Sequence, residues 1–275
     1  MTINCKGQLI DLSNPAVMGI LNITQNSFYD GGKWNSIDKI LSHVQKMLAD
    51  GATFIDVGAY SSKPNAKFVS EEEELSQILP IIKLLIEKFP NILISVDTFR
   101  AKVAKACILE GAAMINDISA GNLDPEMLPT IANLQVPYIM MHMRGTPQTM
   151  QTFTNYENLL HEILYYFSEK IAAARSFGIN DIIIDPGYGF SKTLLQNYQL
   201  LRESEQLQLL ELPILVGLSR KSMIYKALDT TAENALNGTT FLHAIALTNG
   251  ASILRVHDVK DAIEAVKLHS LVRYS

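Results

Sequence analysis

The sequence predicts one α/β domain over residues 1–275, folded as a closed (β/α)8, or TIM, barrel. Three observations carry that prediction. The length of 275 residues and the 48% hydrophobic content match one α/β barrel, with a core large enough to need no disulfide or metal. Short apolar runs alternate with longer stretches of helical period, the pattern of βα units around a parallel sheet. A Gly-Ala step recurs at Gly51-Ala52, Gly111-Ala112 and Gly250-Ala251, each time closing a helical stretch and entering an apolar run, with Gly178-Ile179 as a looser copy.

Taken in order, the predicted strands are 17–23, 53–57, 92–96, 113–118, 137–141, 182–184, 213–217 and 252–256. After the first, Ile37, Ile40, Leu41, Val44 and Met47 form the stripe of a helix lying on the barrel, and Leu160, Ile163, Leu164, Phe167 and Ile171 form another. Ser70 and Glu73 have capping-box spacing, and the acidic run Glu71 to Glu74 suits the positive end of that helix's dipole better than a catalytic role. Asp258 is placed to cap a last helix carrying Val259, Ala262, Ile263 and Val266. The stretches 24–36, 58–70 and 144–155 follow predicted strands and read as loops of the barrel's catalytic face.

Composition narrows the function. With 23 basic against 28 acidic residues and a net charge of -5, the surface is not one for nucleic acid or anionic membrane, so an anionic ligand needs a local basic site. Cys5 and Cys107 lack metal-ligand spacing, and Cys107 falls in a helical pattern that suggests a buried thiol, consistent with a reducing cytoplasm. The start MTINCKGQLIDLSNP lacks the basic and apolar regions of a signal peptide, and no apolar run reaches membrane-spanning length, so a soluble, unprocessed chain is expected.

Barrel geometry would gather the strand ends on one rim: Asn22, Asp56, Asp97, Asn116, Asp117, His142, Asp185, Lys221, Arg255 and His257. Asp56, Asn116 and Arg255 each stand five residues after a repeated glycine, on otherwise apolar strands. Buried there, they need a ligand or one another as partners. Asp97 in ISVDT has the alternative of capping the helix near Arg100. Asp185, before Pro186-Gly187, has the alternative of a turn aspartate, although its carboxylate suits a ligand with two adjacent N–H groups. Met140, Met141 and Met143 around His142 read as soft packing for a flat ring rather than as metal ligands. Ser219-Arg220-Lys221-Ser222 brings cations to the rim, and Arg255 with His257 follows the eighth strand, a common anion site, while His257 also suits a structural histidine.

The segments MGILNIT, SFYDGG, ISVDT, INDI, MHM, DPGYGF, GLSRKS and RVHDV stand in the order found in dihydropteroate synthases, and the chain resembles that family from about Pro15 to Val266. Similar enzymes join 6-hydroxymethyl-7,8-dihydropterin pyrophosphate to para-aminobenzoate and release pyrophosphate. They use magnesium, are commonly homodimers and are sulfonamide targets. The resemblance implies that Asp97, Asn116, Asp185 and Lys221 bind the pterin edge, with Met141, Phe190 and Gly217 lining its pocket. It implies that Asn22, Ser62, Arg255 and His257 hold the pyrophosphate, with Asn22 also on the metal, and that Phe28, Lys63, Pro64, Lys221 and Ser222 border the aminobenzoate. It gives catalytic roles to Asp97, Lys221, Asn26 and Lys63, through a pterin carbocation attacked by the arylamine. Two loops depart from the family pattern: Gln25 and Asn26 replace its usual proline and aspartate, and Tyr60, Ser62 and Lys63 stand where Glu, Thr and Arg are commoner. Two alternatives use a similar pterin-binding barrel: a methyltetrahydrofolate:corrinoid methyltransferase, against which the anion-binding residues speak, and a pterin-binding paralogue of low turnover.

Overall fold

In the computed structural model, which describes residues 1–23, 33–60 and 69–274, the chain opens with an antiparallel hairpin of β1 (Thr2–Cys5) and β2 (Gln8–Asp11). Lys6 and Gly7 form its two-residue turn, both with positive φ, the geometry that matches strand twist in tight hairpins. This hairpin was not among the predicted elements.

Eight parallel strands follow: β3 (Ala16–Asn22), β4 (Phe54–Gly58), β5 (Ile94–Asp97), β6 (Met114–Asp117), β7 (Tyr138–Met141), β8 (Ile182–Asp185), β9 (Leu215–Val216) and β10 (Ile253–Val256). They pair in the order β8-β7-β6-β5-β4-β3-β10-β9, and a single parallel bridge between Ile184 and Ile214 brings the two ends together. The Ile184 N–H donates to the Pro213 carbonyl at 3.0 Å in that seam. All eight predicted strands are present. The seventh is shorter than its apolar run: Pro213 has no N–H to pair, and the Ile214 N–H donates to Ser252 Oγ at 3.3 Å rather than to a strand carbonyl.

Helices α1 (Lys33–Ala49), α2 (Glu71–Lys88), α3 (Ala101–Leu109), α4 (Met127–Leu134), α5 (Leu159–Ser176), α6 (Leu194–Glu203), α7 (Ser222–Tyr225), α8 (Leu236–Thr248) and α9 (Val259–Tyr274) surround the sheet among the described residues. The predicted stripes face inward: Ile40, Val44 and Met47 of α1 and Leu160, Ile163, Phe167 and Ile171 of α5 are buried against outward strand residues such as Val57, Val96 and Ile184. Gly51, Gly111 and Gly250 sit just past their helices with φ near 100° (105°, 106° and 96°), a conformation that only glycine adopts freely.

The predicted caps divide. Ser70 Oγ accepts the Glu73 N–H at 3.1 Å, as its spacing implied. Glu74, however, turns inward, fully buried, and pairs with Arg100. Asp258 gives both carboxylate oxygens to Arg220, at 2.7 and 2.9 Å, so its side chain is engaged away from α9. Asp97 does not cap α3; the Ala101 N–H donates instead to Asp124 at 2.7 Å.

A separate apolar cluster closes the barrel's floor. Ile3, Cys5 and Leu12 from the hairpin region pack on the inward residues Met18, Phe54, Met114, Ile139, Ile183, Leu215 and Ile253. Burial pushes the Cys5 thiol up to about 12, and that of Cys107 likewise.

Candidate active site

Side chains of a strand alternate between faces, so the residue two steps beyond each apolar floor residue again points into the barrel. Two steps on from Phe54, Met114, Ile139, Ile183, Leu215 and Ile253 stand Asp56, Asn116, Met141, Asp185, Gly217 and Arg255. Asp97, paired in register with Asn116, joins them. A dry lower tier thus carries a polar upper tier at the strands' C-terminal ends.

The three residues that follow the repeated glycines are joined through Asp56. Arg255 donates from Nε to Asp56 at 2.6 Å and from Nη2 to Asp97 at 2.8 Å. Asn116 Nδ2 donates to the Asp56 carboxylate at 3.2 and 3.4 Å. Asp56 is 1% exposed and supports Arg255 and Asn116, so of the two partners the sequence left open for these residues, a ligand or one another, the second is observed. Burial raises the Asp97 carboxyl to about 7 despite the attraction of Arg255, with the Asp56 charge adding to the rise.

Across the mouth, Asp185 accepts the Gly187 N–H at 2.8 Å. Burial raises its carboxyl above the usual range, opposed chiefly by Lys221. Lys221 itself is drawn down to about 8 by burial, with Asp185 pulling the other way. Its Nζ donates to the Tyr188 carbonyl and lies 4.8 Å from the Phe190 ring centre. Gly217 leaves room beside this ammonium, since a Cβ there would lie 3.9 Å from Nζ. Met141, Met143, Met150 and Ile118 form an apolar wall with Phe99, Leu123 and Phe190 packed on it. Of the three methionines around His142, Met140 belongs to the outer core.

At the rim, Asn22 ends β3 and is exposed. His257 is also exposed, its backbone N–H donating to Ser219 Oγ at 3.1 Å. Ser222 opens α7 beside Lys221. Asn26, Phe28, Ser62, Lys63 and Pro64 lie outside the described residues. Among the described residues no group of three or more His, Cys, Asp or Glu side chains is arranged to hold a metal.

Three rim candidates are not in the site. Asp117 points outward, holding the N–H groups of Ser119 and Gly121 and the hydroxyls of Ser119 and Tyr138. His142 also faces outward, packed edge-on against Tyr166 at 4.8 Å. Both follow an inward residue by one position, and a one-residue step on a strand changes face. Arg220, with φ 55°, turns to Asp258 and the carbonyls of Ala232 and Glu233, so only Lys221 of that pair reaches the pocket.

The result is a barrel mouth with two carboxylates, a carboxamide and an ammonium around one apolar wall, suited to a flat heterocycle with a donor-rich edge. Residues 18–257 match the family model described as pterin binding enzyme. This chain belongs to the pterin-binding enzyme family. Within that family, a dihydropteroate synthase of Escherichia coli (strain K12) is 41% identical over 270 residues, covering 98% of this chain and 95% of the relative. The crystal structure of the Yersinia pestis dihydropteroate synthase with a sulfonamide drug superposes with a TM-score of 0.93 at 41% identity, covering 100% of both chains. The Xanthomonas albilineans enzyme in complex with 7,8-dihydropteroate superposes with a TM-score of 0.89 at 34% identity over 100% of both chains.

Proposed function

We propose that this chain is a dihydropteroate synthase, joining 6-hydroxymethyl-7,8-dihydropterin pyrophosphate to para-aminobenzoate. The observation that carries the reading is the inward tier of Asp97, Asn116 and Asp185 with Lys221 above the Met141–Phe190 wall, in a chain whose relatives over nearly its full length are dihydropteroate synthases. The carboxylates accept the N–H groups of the pterin edge, Asn116 and Lys221 complete the polar contacts, and Met141, Phe190 and Gly217 leave a flat apolar slot for the ring.

In the reaction, the bond from the pterin methylene to the pyrophosphate oxygen breaks and its electron pair leaves on the phosphate. Asp97 and Asp185 stabilise the developing cation electrostatically. The arylamine lone pair then forms the C–N bond, and the nitrogen's extra proton passes to water. Asn22, Ser62, Arg255 and His257 are assigned to the pyrophosphate. Phe28, Lys63, Pro64 and Ser222 are assigned to the aminobenzoate side, with Asn26 and Lys63 contributing to catalysis from the same loops.

Magnesium fits the donor set. It favours oxygen ligands and is usually held by one or two protein groups together with substrate phosphates and water. The exposed Asn22 carboxamide at the end of β3 offers one such oxygen, on the rim to which the pyrophosphate is assigned. When bound, the ion would neutralise charge on the departing pyrophosphate. The chain is further assigned to the cytoplasm, where its two buried thiols stay reduced, and to a homodimer. Exposed Phe241 on α8 and Leu268, Leu271 and Val272 on α9 support self-association.

Purified protein given both substrates and magnesium should form dihydropteroate and pyrophosphate, with sulfonamides competing against aminobenzoate. No product under these conditions would overturn the assignment.

A further inference from the structure

We infer that Lys192 is a positioning residue for the pterin pocket, its buried ammonium fastening the loop that aims Asp185 and Phe190. The inference rests on the pterin-site reading of those two residues. Lys192 is 3% exposed and reaches the pocket residues through backbone carbonyls of their loop. Its Nζ lies 3.0 Å from the Gly187 carbonyl, 3.0 Å from the Phe190 carbonyl and 3.0 Å from His142 Nδ1. Three partners meet the three donors of an ammonium.

The loop after β8 needs such a clamp. Gly187, Gly189 and Ser191 all have positive φ, 71°, 83° and 51°, so no regular ladder can form and the carbonyls need other donors. Lys221 takes the Tyr188 carbonyl, Asn197 Oδ1 accepts the Gly189 N–H at 2.6 Å, and Lys192 donates to the Phe190 carbonyl and to the Gly187 carbonyl, which also accepts the Phe190 N–H at 3.1 Å. One of them belongs to Gly187, whose N–H donates to Asp185. The other belongs to Phe190, whose ring lies under Lys221. Through His142, which directly follows Met141, the same ammonium also ties the end of β7 to this loop. One nitrogen therefore fixes the relative placement of Asp185, Phe190 and Met141.

The clamp tolerates a change of proton location. Burial lowers Lys192 to about 7 and His142 well below its usual range. With Lys192 charged, Nδ1 accepts; with Lys192 neutral, its lone pair accepts from an Nδ1–H tautomer while two N–H groups keep both carbonyls.

The test is Lys192→Met in the full chain. Loss of aim should raise KM for the pterin pyrophosphate roughly 10-fold or more. Under saturating pterin substrate, KM for aminobenzoate should rise several-fold less than KM for the pterin pyrophosphate, because among its assigned residues that are described only Lys221 contacts this loop. Hydrogen exchange should quicken over residues 185–191 and stay unchanged in α8 and α9. If that variant yields no folded protein, Lys192→Gln, which still reaches one carbonyl, should show the same selectivity at smaller amplitude. Equal rises in both KM values, an unchanged pterin KM, or exchange that quickens throughout the barrel would overturn the inference. Wild-type protein that makes no dihydropteroate would sink the functional reading instead. Calorimetric affinity for the pterin pyrophosphate, compared between wild type and variant, would then still decide the role of Lys192.

Discussion

At Gly187 a single hydrogen decides whether the pocket can exist. Its φ of 71° disfavours any side chain, and a Cβ would stand 2.2 Å from the His142 carbonyl oxygen, a backbone atom that cannot yield. Gly187→Ala should therefore destabilise the fold by roughly 2–4 kcal/mol, read from urea unfolding. Asp97 makes the other prediction at this scale. Because burial lifts its carboxyl from 3.8 to about 7, it gains its negative charge, which the pterin N–H of the proposed complex would favour, only as pH rises through neutrality. Affinity for the pterin substrate should strengthen between about pH 6 and pH 8, and Asp97→Asn should flatten that profile in calorimetry. The sign for stability is opposite. The folded state holds this proton more tightly than the unfolded chain, so the contribution of Asp97 to stability is present below about pH 4 and lost as pH rises toward 7.

Among the elements, the contact between α2 and the start of α3 holds a buried ion pair. Glu74 is fully buried against Arg100, whose guanidinium also holds the carbonyls of Val69 and Ser70 at 2.6 and 3.1 Å. Arg100→Met removes the cation and leaves a buried carboxylate, which should cost about 3–5 kcal/mol in chemical denaturation. Adding Glu74→Leu should recover part of the loss, since replacing both members of a buried pair is far milder than breaking it. The acidic run was legible as the start of a helix, but its four glutamates look alike in sequence. Only the approach of Arg100 separates Glu74 from its neighbours. Asp258 makes the same point: its position before α9 suits a cap, yet a bidentate arginine outcompetes a single backbone N–H.

For the whole molecule, the hairpin that closes the barrel's floor is part of the core rather than an appendage. Ile3, 2% exposed, packs with Leu12 on the lower inward tier. Ile3→Ala should cost about 2–4 kcal/mol through the cavity it leaves, visible as a lowered denaturation midpoint. The effect should fall on stability, with KM for both substrates unchanged, because the polar tier separates this floor from the mouth.

The eight strands, the helical stripes and the approximate rim were all legible in the sequence, because hydrophobic period and glycine placement are local properties of the chain. Asp97, Asn116, Asp185, Lys221 and Arg255 could be named from their motifs. What the sequence could not settle was direction. Asp117 and His142 stand next to true pocket residues, and one step along a strand sends each to the opposite face. It offered Asp56 and Arg255 one another or a ligand as partners without deciding between them, and it gave no sign of Arg255 with Asp97 or Lys192 with His142, since those pairs exist only once the sheet has closed. Period and motif determine which residues reach the rim. Closure of the barrel decides which way they point and which charges answer one another.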